Sequence, residues 1–125
     1  MTHAEKLKLQ RNFFRQAGPN IEVLRAAFDT LRDTGFYITD ANDRLIAFTR
    51  HNCEECNVPD ETHVIGHTCA ELFPPILADV YMKRDREVRR TGKHIINQAF
   101  THSADRSTDI RIVSVFPIRN VHGKI

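Results

Sequence analysis

Five side chains between positions 53 and 69 have the chemistry of metal ligands. Cys53 and Cys56 are separated by two residues, a spacing that lets two thiolates reach one tetrahedral zinc ion. A zinc site needs a second pair of ligands, for which the candidates are His63 with either His67 or Cys69. Because only six residues separate Cys56 from His63, which is short for such a site, we expect the thiols to line or flank the core. A redox-active or ligand-contacting thiol is the further alternative.

Motifs for catalysis are missing from the sequence. It contains no Gly-rich phosphate loop, no Gly-x-Ser-x-Gly and no His-Glu-x-x-His. A dyad of Cys53 or Cys69 with one of the seven histidines would need a fold that brings the partners together, and nothing in the sequence does so. Asn57, not histidine, follows Cys56, which argues against a c-type haem. We therefore do not expect an enzyme.

Size and composition indicate one ordinary globular domain. The chain has 125 residues, of which 41% are hydrophobic and 27% charged. Its net charge of +2 is too small to predict a nucleic-acid surface. The basic run over residues 83–93 is interrupted by acids, so we interpret it as the solvated face of a helix, with an anionic partner as the alternative.

Targeting signals and disulfides are not indicated either. No apolar run approaches the roughly 18 residues that cross a bilayer, and the polar N-terminus does not resemble a signal peptide. An odd number of cysteines, three, does not form a disulfide framework. These features predict a cytoplasmic protein without membrane contact.

The elements that must position these residues begin with two helices. Apolar residues at helical spacing predict a first helix over residues 4–17, stopped by Gly18. Asn20 suits the N-cap of a second helix, which the apolar spacing extends to about Arg32 before Gly35 breaks it.

The rest of the chain predicts strands around one long helix. Residues 36–39 and 44–49 flank a turn-forming segment and predict a β-hairpin. Short helices are expected over residues 52–75, and a long helix over 76–91 with Gly92 as its C-cap. Strand-like runs follow at 94–101 and 109–119, separated by a polar stretch at 102–108.

Three short sequence segments resemble segments of the PAS family of sensor domains. Residues 38–46 resemble the opening hairpin of that family, although Asp43 stands where glycine is common. Residues 64–74 resemble its hydrophobic-Ile-Gly segment with a following Leu-Phe-Pro, and residues 115–125 its Pro-Ile-Arg turn between the last two strands. The three segments occur in the same order as in the family, and the resemblance covers roughly residues 34–125.

The resemblance implies an α+β fold, a five-stranded antiparallel sheet with helices packed on one face. Residues 1–33 would be N-terminal flanking helices for dimerisation or capping, and residues 34–125 the PAS-like sensor domain. Lys124 and Ile125 look like the start of a last strand that is cut short, so we expect a C-terminally truncated domain from a longer protein. Such a sheet would have an open edge or pair with a neighbouring chain.

The same resemblance implies a pocket between the sheet and the long helix. Tyr81 and Ser114 are polar handles for a ligand, and Arg44 and Arg111 are alternative anchors for a small acid. The candidate pocket residues are Phe36, Ile38, Phe48, Cys56, Ile65, Leu72, Tyr81, Val88, Ile96, Phe100, Ile112, Ser114 and Phe116.

The resemblance does not identify a cofactor. Haem-binding members commonly take an axial histidine from the long helix, which has none between Ile76 and Lys93. Flavin-binding members have a reactive cysteine three residues after a glycine, as Cys69 follows Gly66, but residues 68–73 lack the rest of their signature. Zinc remains the less favoured alternative.

The resemblance therefore predicts a sensory or regulatory domain that binds a small molecule or mediates dimerisation. It would control an output domain, which we expect to be that of a bacterial transcriptional regulator. It would form a homodimer through its N-terminal helices and would not contact nucleic acid itself. The alternatives are the sensor of a histidine kinase and a metal-stabilised Cys/His binding domain.

Overall fold

The structure is a computed structural model that describes residues 1–101, 110–119 and 123. The order of elements is α1 (His3–Ala17), α2 (Pro19–Phe28), β1 (Tyr37–Thr39), β2 (Leu45–Phe48), α3 (Arg50–Glu55), a 3-10 helix (Glu61–His63), α4 (Cys69–Leu72), α5 (Pro75–Thr91), β3 (Ile95–Thr101) and β4 (Ile110–Val115). Within these described residues, no helix combines the length and the apolar character needed to span a membrane.

Two helices form at the N-terminus, as predicted, but the second is shorter. The Thr2 side chain accepts a hydrogen bond from the Glu5 amide at 3.1 Å and caps the start of α1. The prediction of Asn20 as N-cap and of an end near Arg32 is wrong, because α2 begins at Pro19 and ends at Phe28. Proline suits the first position of a helix because its φ is already helical and it has no amide hydrogen to satisfy.

The predicted hairpin of β1 and β2 is confirmed, with Tyr37 opposite Phe48. The carboxylate of Asp40 closes its turn by accepting hydrogen bonds from the amides of Asn42 at 2.9 Å and Arg44 at 3.0 Å. Asp43, which replaces the usual glycine, has a φ of 64°. Aspartate tolerates this left-handed conformation better than most residues, so the turn forms without glycine.

The long helix α5 and its C-cap are also confirmed. Gly92 adopts a left-handed φ of 69°, and its amide donates to the Val88 carbonyl at 2.8 Å. The interpretation of residues 83–93 as a solvated face is wrong for Arg84, which is only 7% exposed. The guanidinium of Arg84 lies 5.5 Å from the ring centroid of Tyr81, which gives the buried charge an aromatic neighbour.

The single five-stranded sheet is not what the described residues form. They contain two separate antiparallel sheets of two strands, β1–β2 and β3–β4. No described strand joins the two hairpins into one sheet. The predicted polar stretch 102–108 lies outside the described residues, as do Lys124 and Ile125, where the last strand was expected.

The hydrophobic core covers the first hairpin with two clusters of side chains. One cluster combines Phe14 of α1 with Ile38, Ile46 and Ala47, and the other combines Leu45 and Phe48 with Cys53 and Val64. All four residues of β2 are buried. The first hairpin is therefore the centre around which α1, α3 and the 3-10 helix are organised.

Candidate functional site

An open cleft of about 960 Å³ lies between the two hairpins, and we call it the inter-hairpin cleft. Residues from α1, α2, β1, the C-terminal half of α5, β4 and the segment 116–119 line it. Most of these side chains are apolar. A volume of this size is in the range of sites for small organic ligands, which are roughly 300–1,000 Å³.

The α5 side of the cleft contains a buried polar pair. Asp85 is 6% exposed and lines the cleft, and the hydroxyl of Tyr37 donates a hydrogen bond to its Oδ1 at 3.1 Å. Burial raises the pKa of Asp85 to about 6, although the Tyr37 hydrogen bond and the charges of Arg89 and Arg84 partly oppose the rise. Burial, followed by the charge of Asp85, also raises the pKa of Tyr37 well above its ordinary value.

The charged residues near the Asp85–Tyr37 pair form ion pairs with each other. Arg86 and Arg89 both donate hydrogen bonds to the carboxylate of Asp43. Arg89 also donates to the Ala41 carbonyl at 2.9 Å. These hydrogen bonds connect α5 to the turn of the first hairpin. Although burial opposes it, these hydrogen bonds from Arg89 and Arg86 lower the pKa of Asp43. Arg44 donates to Asp40 at 2.8 Å. The proposed acid anchor Arg44 therefore already has a carboxylate partner.

The sequence-predicted pocket residues fall into two groups in space. Those that line the inter-hairpin cleft are Phe36, Ile38, Val88, Ile112, Ser114 and Phe116. The other candidates whose side chains the structure describes do not line it. Of these, Ile65 is fully buried, Phe48, Cys56 and Leu72 belong to the second core cluster, and Ile96 is 60% exposed. The side chains of Phe100 and Arg111 lie outside the described part of the structure.

The two predicted polar handles also separate. Ser114 lines the cleft, and its Oγ accepts a hydrogen bond from the Asn97 amide at 3.0 Å. Tyr81 does not line the cleft; its ring packs edge-on against Phe73, with centroids 5.7 Å apart. Of these two polar residues, Ser114 is therefore the one that a ligand in the cleft would contact.

The five candidate metal ligands are not brought together. Among the described residues, no group of three or more His, Cys, Asp or Glu side chains is placed to hold a metal ion. All three cysteines are free thiols, with Cys53 and Cys69 buried and Cys56 half-buried. Burial raises the pKa of Cys53 to about 11 and that of Cys69 to about 12, so both favour the protonated thiol.

The histidines of this segment make surface contacts instead. The Nδ1 atom of His67 lies 2.6 Å from a carboxylate oxygen of Glu71, one helical turn away along the chain, and both side chains are exposed. His63 ends the 3-10 helix and is exposed. This arrangement separates the imidazoles from the buried thiols of Cys53 and Cys69.

Sequence reasoning missed the polar pair of Asp85 and Tyr37. A signal for Asp85 was present in α5, where Leu77, Tyr81 and Val88 mark the buried face. Positions 84 and 85 lie on the same face at helical spacing, so two charges interrupt an otherwise apolar stripe. Charged residues in register with an apolar stripe indicate a polar feature inside the fold.

The N-terminal helices are tied to the first hairpin through Glu61. Its Oε1 accepts hydrogen bonds from Arg25 of α2 and, at 2.9 Å, from Gln10 of α1. Its Oε2 accepts from the Phe48 amide at 3.1 Å. One carboxylate therefore joins both flanking helices to β2.

Comparison with known proteins supports the family resemblance. The family model described as PAS fold matches residues 21–125, which is most of the chain. The match includes the three segments 38–46, 64–74 and 115–125. A search of the curated proteins found no match.

Proposed function

The chain belongs to the PAS fold family and therefore has a sensory or regulatory role, and on this premise we propose that it binds a small, mainly apolar molecule in the inter-hairpin cleft. The observation that carries the proposal is the cleft itself, about 960 Å³ in volume with a mostly apolar lining. A buried carboxylate at Asp85 and an exposed hydroxyl at Ser114 add a few polar groups to orient a ligand. The role is binding and regulation, not catalysis.

The N-terminal helices provide a route by which the bound ligand would act. Leu9 and Phe13 of α1, with Ile21 and Leu24 of α2, line the same cleft as β4. A ligand would therefore contact the helices and the second hairpin at once. Its binding would shift the equilibrium between positions of the helices, as far as its affinities for those positions differ.

The output of this shift is proposed by analogy. We favour a bacterial transcriptional regulator over a histidine kinase, and a homodimer formed through the N-terminal helices. The outer surface of α2 supports the dimer, because Val23 is 68% exposed and does not line the cleft. Sedimentation of the wild-type chain and of Val23→Glu tests it: we expect a dimer that the charge disrupts, and a monomeric wild type would contradict it.

The cleft is tested by blocking it from its exposed side. Ile112 is 70% exposed and lines the cleft, whereas Ile96 is 60% exposed on the neighbouring strand and does not line it. We expect Ile112→Trp to fill the cleft and Ile96→Trp to leave it open, with little effect of either change on stability.

Ligand-observed NMR with a mixture of small aromatic fragments gives the readout. Fragments should bind the wild-type chain and Ile96→Trp, and binding to Ile112→Trp should fall by about tenfold or more, because the indole occupies the site. Equal binding to the two tryptophan variants, or no binding to the wild type, would contradict the proposed site.

A further inference from the structure

Asp85 has unused capacity to accept hydrogen bonds inside the inter-hairpin cleft. Among the described residues the Tyr37 hydroxyl is the one donor to this carboxylate, and it binds Oδ1. An ionised carboxylate has two oxygens with about four acceptor positions. Because Asp85 is only 6% exposed, water replaces few of the missing donors, and the free acceptors disfavour the ionised form. The raised pKa of Asp85 agrees with this environment.

The charges around Asp85 select against charged ligands. Arg44 is paired with Asp40, and Arg89 is paired with Asp43, so neither cation is free to balance an incoming anion. Asp85 itself would repel an anion. Arg84 does not line the cleft, but its charge acts on Asp85 and would also repel a cationic ligand beside that carboxylate. The remaining choice is a neutral group that donates a hydrogen bond.

The surroundings of Asp85 favour an apolar body on the ligand. Val88 lies one turn further along α5 and is 2% exposed, and Ile38 of β1 is 3% exposed. Both line the cleft, with Ile112 of β4 and Phe36 on its other walls. An aromatic ring of one or two cycles would bury its surface against these side chains.

We propose that Asp85 is the polar anchor of the inter-hairpin cleft and accepts a hydrogen bond from the neutral hydroxyl of an otherwise apolar ligand, of which phenol is the simplest example. This inference rests on the proposed function, since it assigns the ligand chemistry of the same cleft. Tyr37 is a positioning residue in this arrangement, because its hydroxyl holds Oδ1 and leaves Oδ2 for the ligand.

Four one-ring probes of different chemistry test the proposal: phenol, toluene, benzylamine and benzoate. Their dissociation constants are measured by NMR titration on the wild type, Asp85→Leu, Tyr37→Phe and Asp79→Leu. Asp79 is exposed on the same helix and provides the matched control. Leucine at position 85 keeps an approximately equal volume without an acceptor.

The expected result is a change in the ratio of phenol to toluene affinity. Relative to the wild type, the ratio should fall about tenfold or more in Asp85→Leu, because a hydrogen bond to a charged acceptor is lost. The ratio should be kept in Asp79→Leu. In Tyr37→Phe the carboxylate remains but its Oδ1 is no longer held, so the ratio should fall by less than in Asp85→Leu. On the wild type, phenol should bind more tightly than benzylamine or benzoate.

Different failures point to different conclusions. An unchanged phenol-to-toluene ratio in Asp85→Leu, or tighter binding of benzoate or benzylamine to the wild type, would overturn the role of Asp85 while leaving the cleft as a ligand site. If none of the four probes binds the wild type, this inference and the proposed function both fail. Should Asp85→Leu not fold, the ranking of the four probes on the wild type still decides.

Discussion

The two hairpins of this domain both contain apolar strand residues but have very different surroundings. In the first hairpin, Leu45 and Ile46 are 1% and 0% exposed, whereas in the second Ile112 is 70% exposed and Ile96 is 60% exposed. Helices and loops cover the first hairpin from two sides, and the second is paired to itself beside an open cleft. Apolar, β-branched strands thus serve as core in one hairpin and as cleft wall in the other.

This difference separates stability from recognition within one small domain. Residues of the first hairpin are held by packing and by buried hydrogen bonds, which resist change. Apolar residues of the second hairpin are left in contact with solvent, where a ligand or partner has surface to bury. Changes in the first hairpin should therefore affect folding, and changes in the second should affect binding.

The largest effect is expected from removing core volume in β2. Ile46→Ala should lower the free energy of unfolding by about 2–4 kcal/mol, because it removes a fully buried side chain and leaves a cavity. The same substitution at Ile112 should cost less than about 1 kcal/mol, since that side chain is mostly in solvent. Urea unfolding measures both. Equal losses would contradict the contrast between the hairpins.

A somewhat smaller effect is expected at the carboxylate that joins the N-terminal helices to β2. Glu61→Ala should lower the free energy of unfolding by about 2 kcal/mol, because it leaves Arg25 and the Phe48 amide without their acceptor. Glu71→Ala is the control, as that residue is exposed and pairs with His67, whose side chain is also exposed. Thermal unfolding measures both variants, and an effect of Glu61→Ala no larger than the control would argue against this junction.

An effect of about the same size concerns the pH dependence of stability. The folded pKa of Asp85, about 6, lies above its ordinary value of 3.8, so between these pH values the folded chain binds a proton that the unfolded chain does not. Stability from this group is present at the acidic end and is lost as the pH rises through about 6. The stability lost between these two pH values amounts to on the order of 2 kcal/mol.

Asp85→Asn isolates this contribution because asparagine does not titrate. The other groups that face Asp85 stay in the variant, namely Tyr37, Asp43, Cys69, Arg84 and Arg89. Between pH 4 and 6, the stability of the wild type should fall relative to that of the variant. A constant difference across this range would show that Asp85 titrates at its ordinary pKa.

Local patterns in the sequence predict much of this architecture. The apolar spacing of α5 and the glycine at position 92 define a helix and its end, and the turn around Asp40 predicts the first hairpin. These signals succeed because they depend on neighbouring residues and on backbone geometry. The separation of the strands into two sheets depends on pairing over long distances, which no local pattern contains.

The polar content of the cleft was harder to predict for a related reason. The burial of Arg84 and Asp85 depends on which elements cover α5, and charged residues are exposed by default. Tyr37 looks like an ordinary strand residue until Asp85 is placed beside its hydroxyl. For the same reason the sequence predicts pocket positions for Phe48 and Ile65, although their side chains complete the core.

The most direct test of the account is an NMR titration of the isoleucine methyl groups with phenol. Ile38 and Ile112 line the inter-hairpin cleft, whereas Ile46 and Ile65 are fully buried away from it. The account predicts that the methyl signals of Ile38 and Ile112 shift as phenol is added while those of Ile46 and Ile65 stay in place. Shifts confined to Ile46 and Ile65, or no shift at any of the four, would contradict the assignment of the cleft as the sensor site.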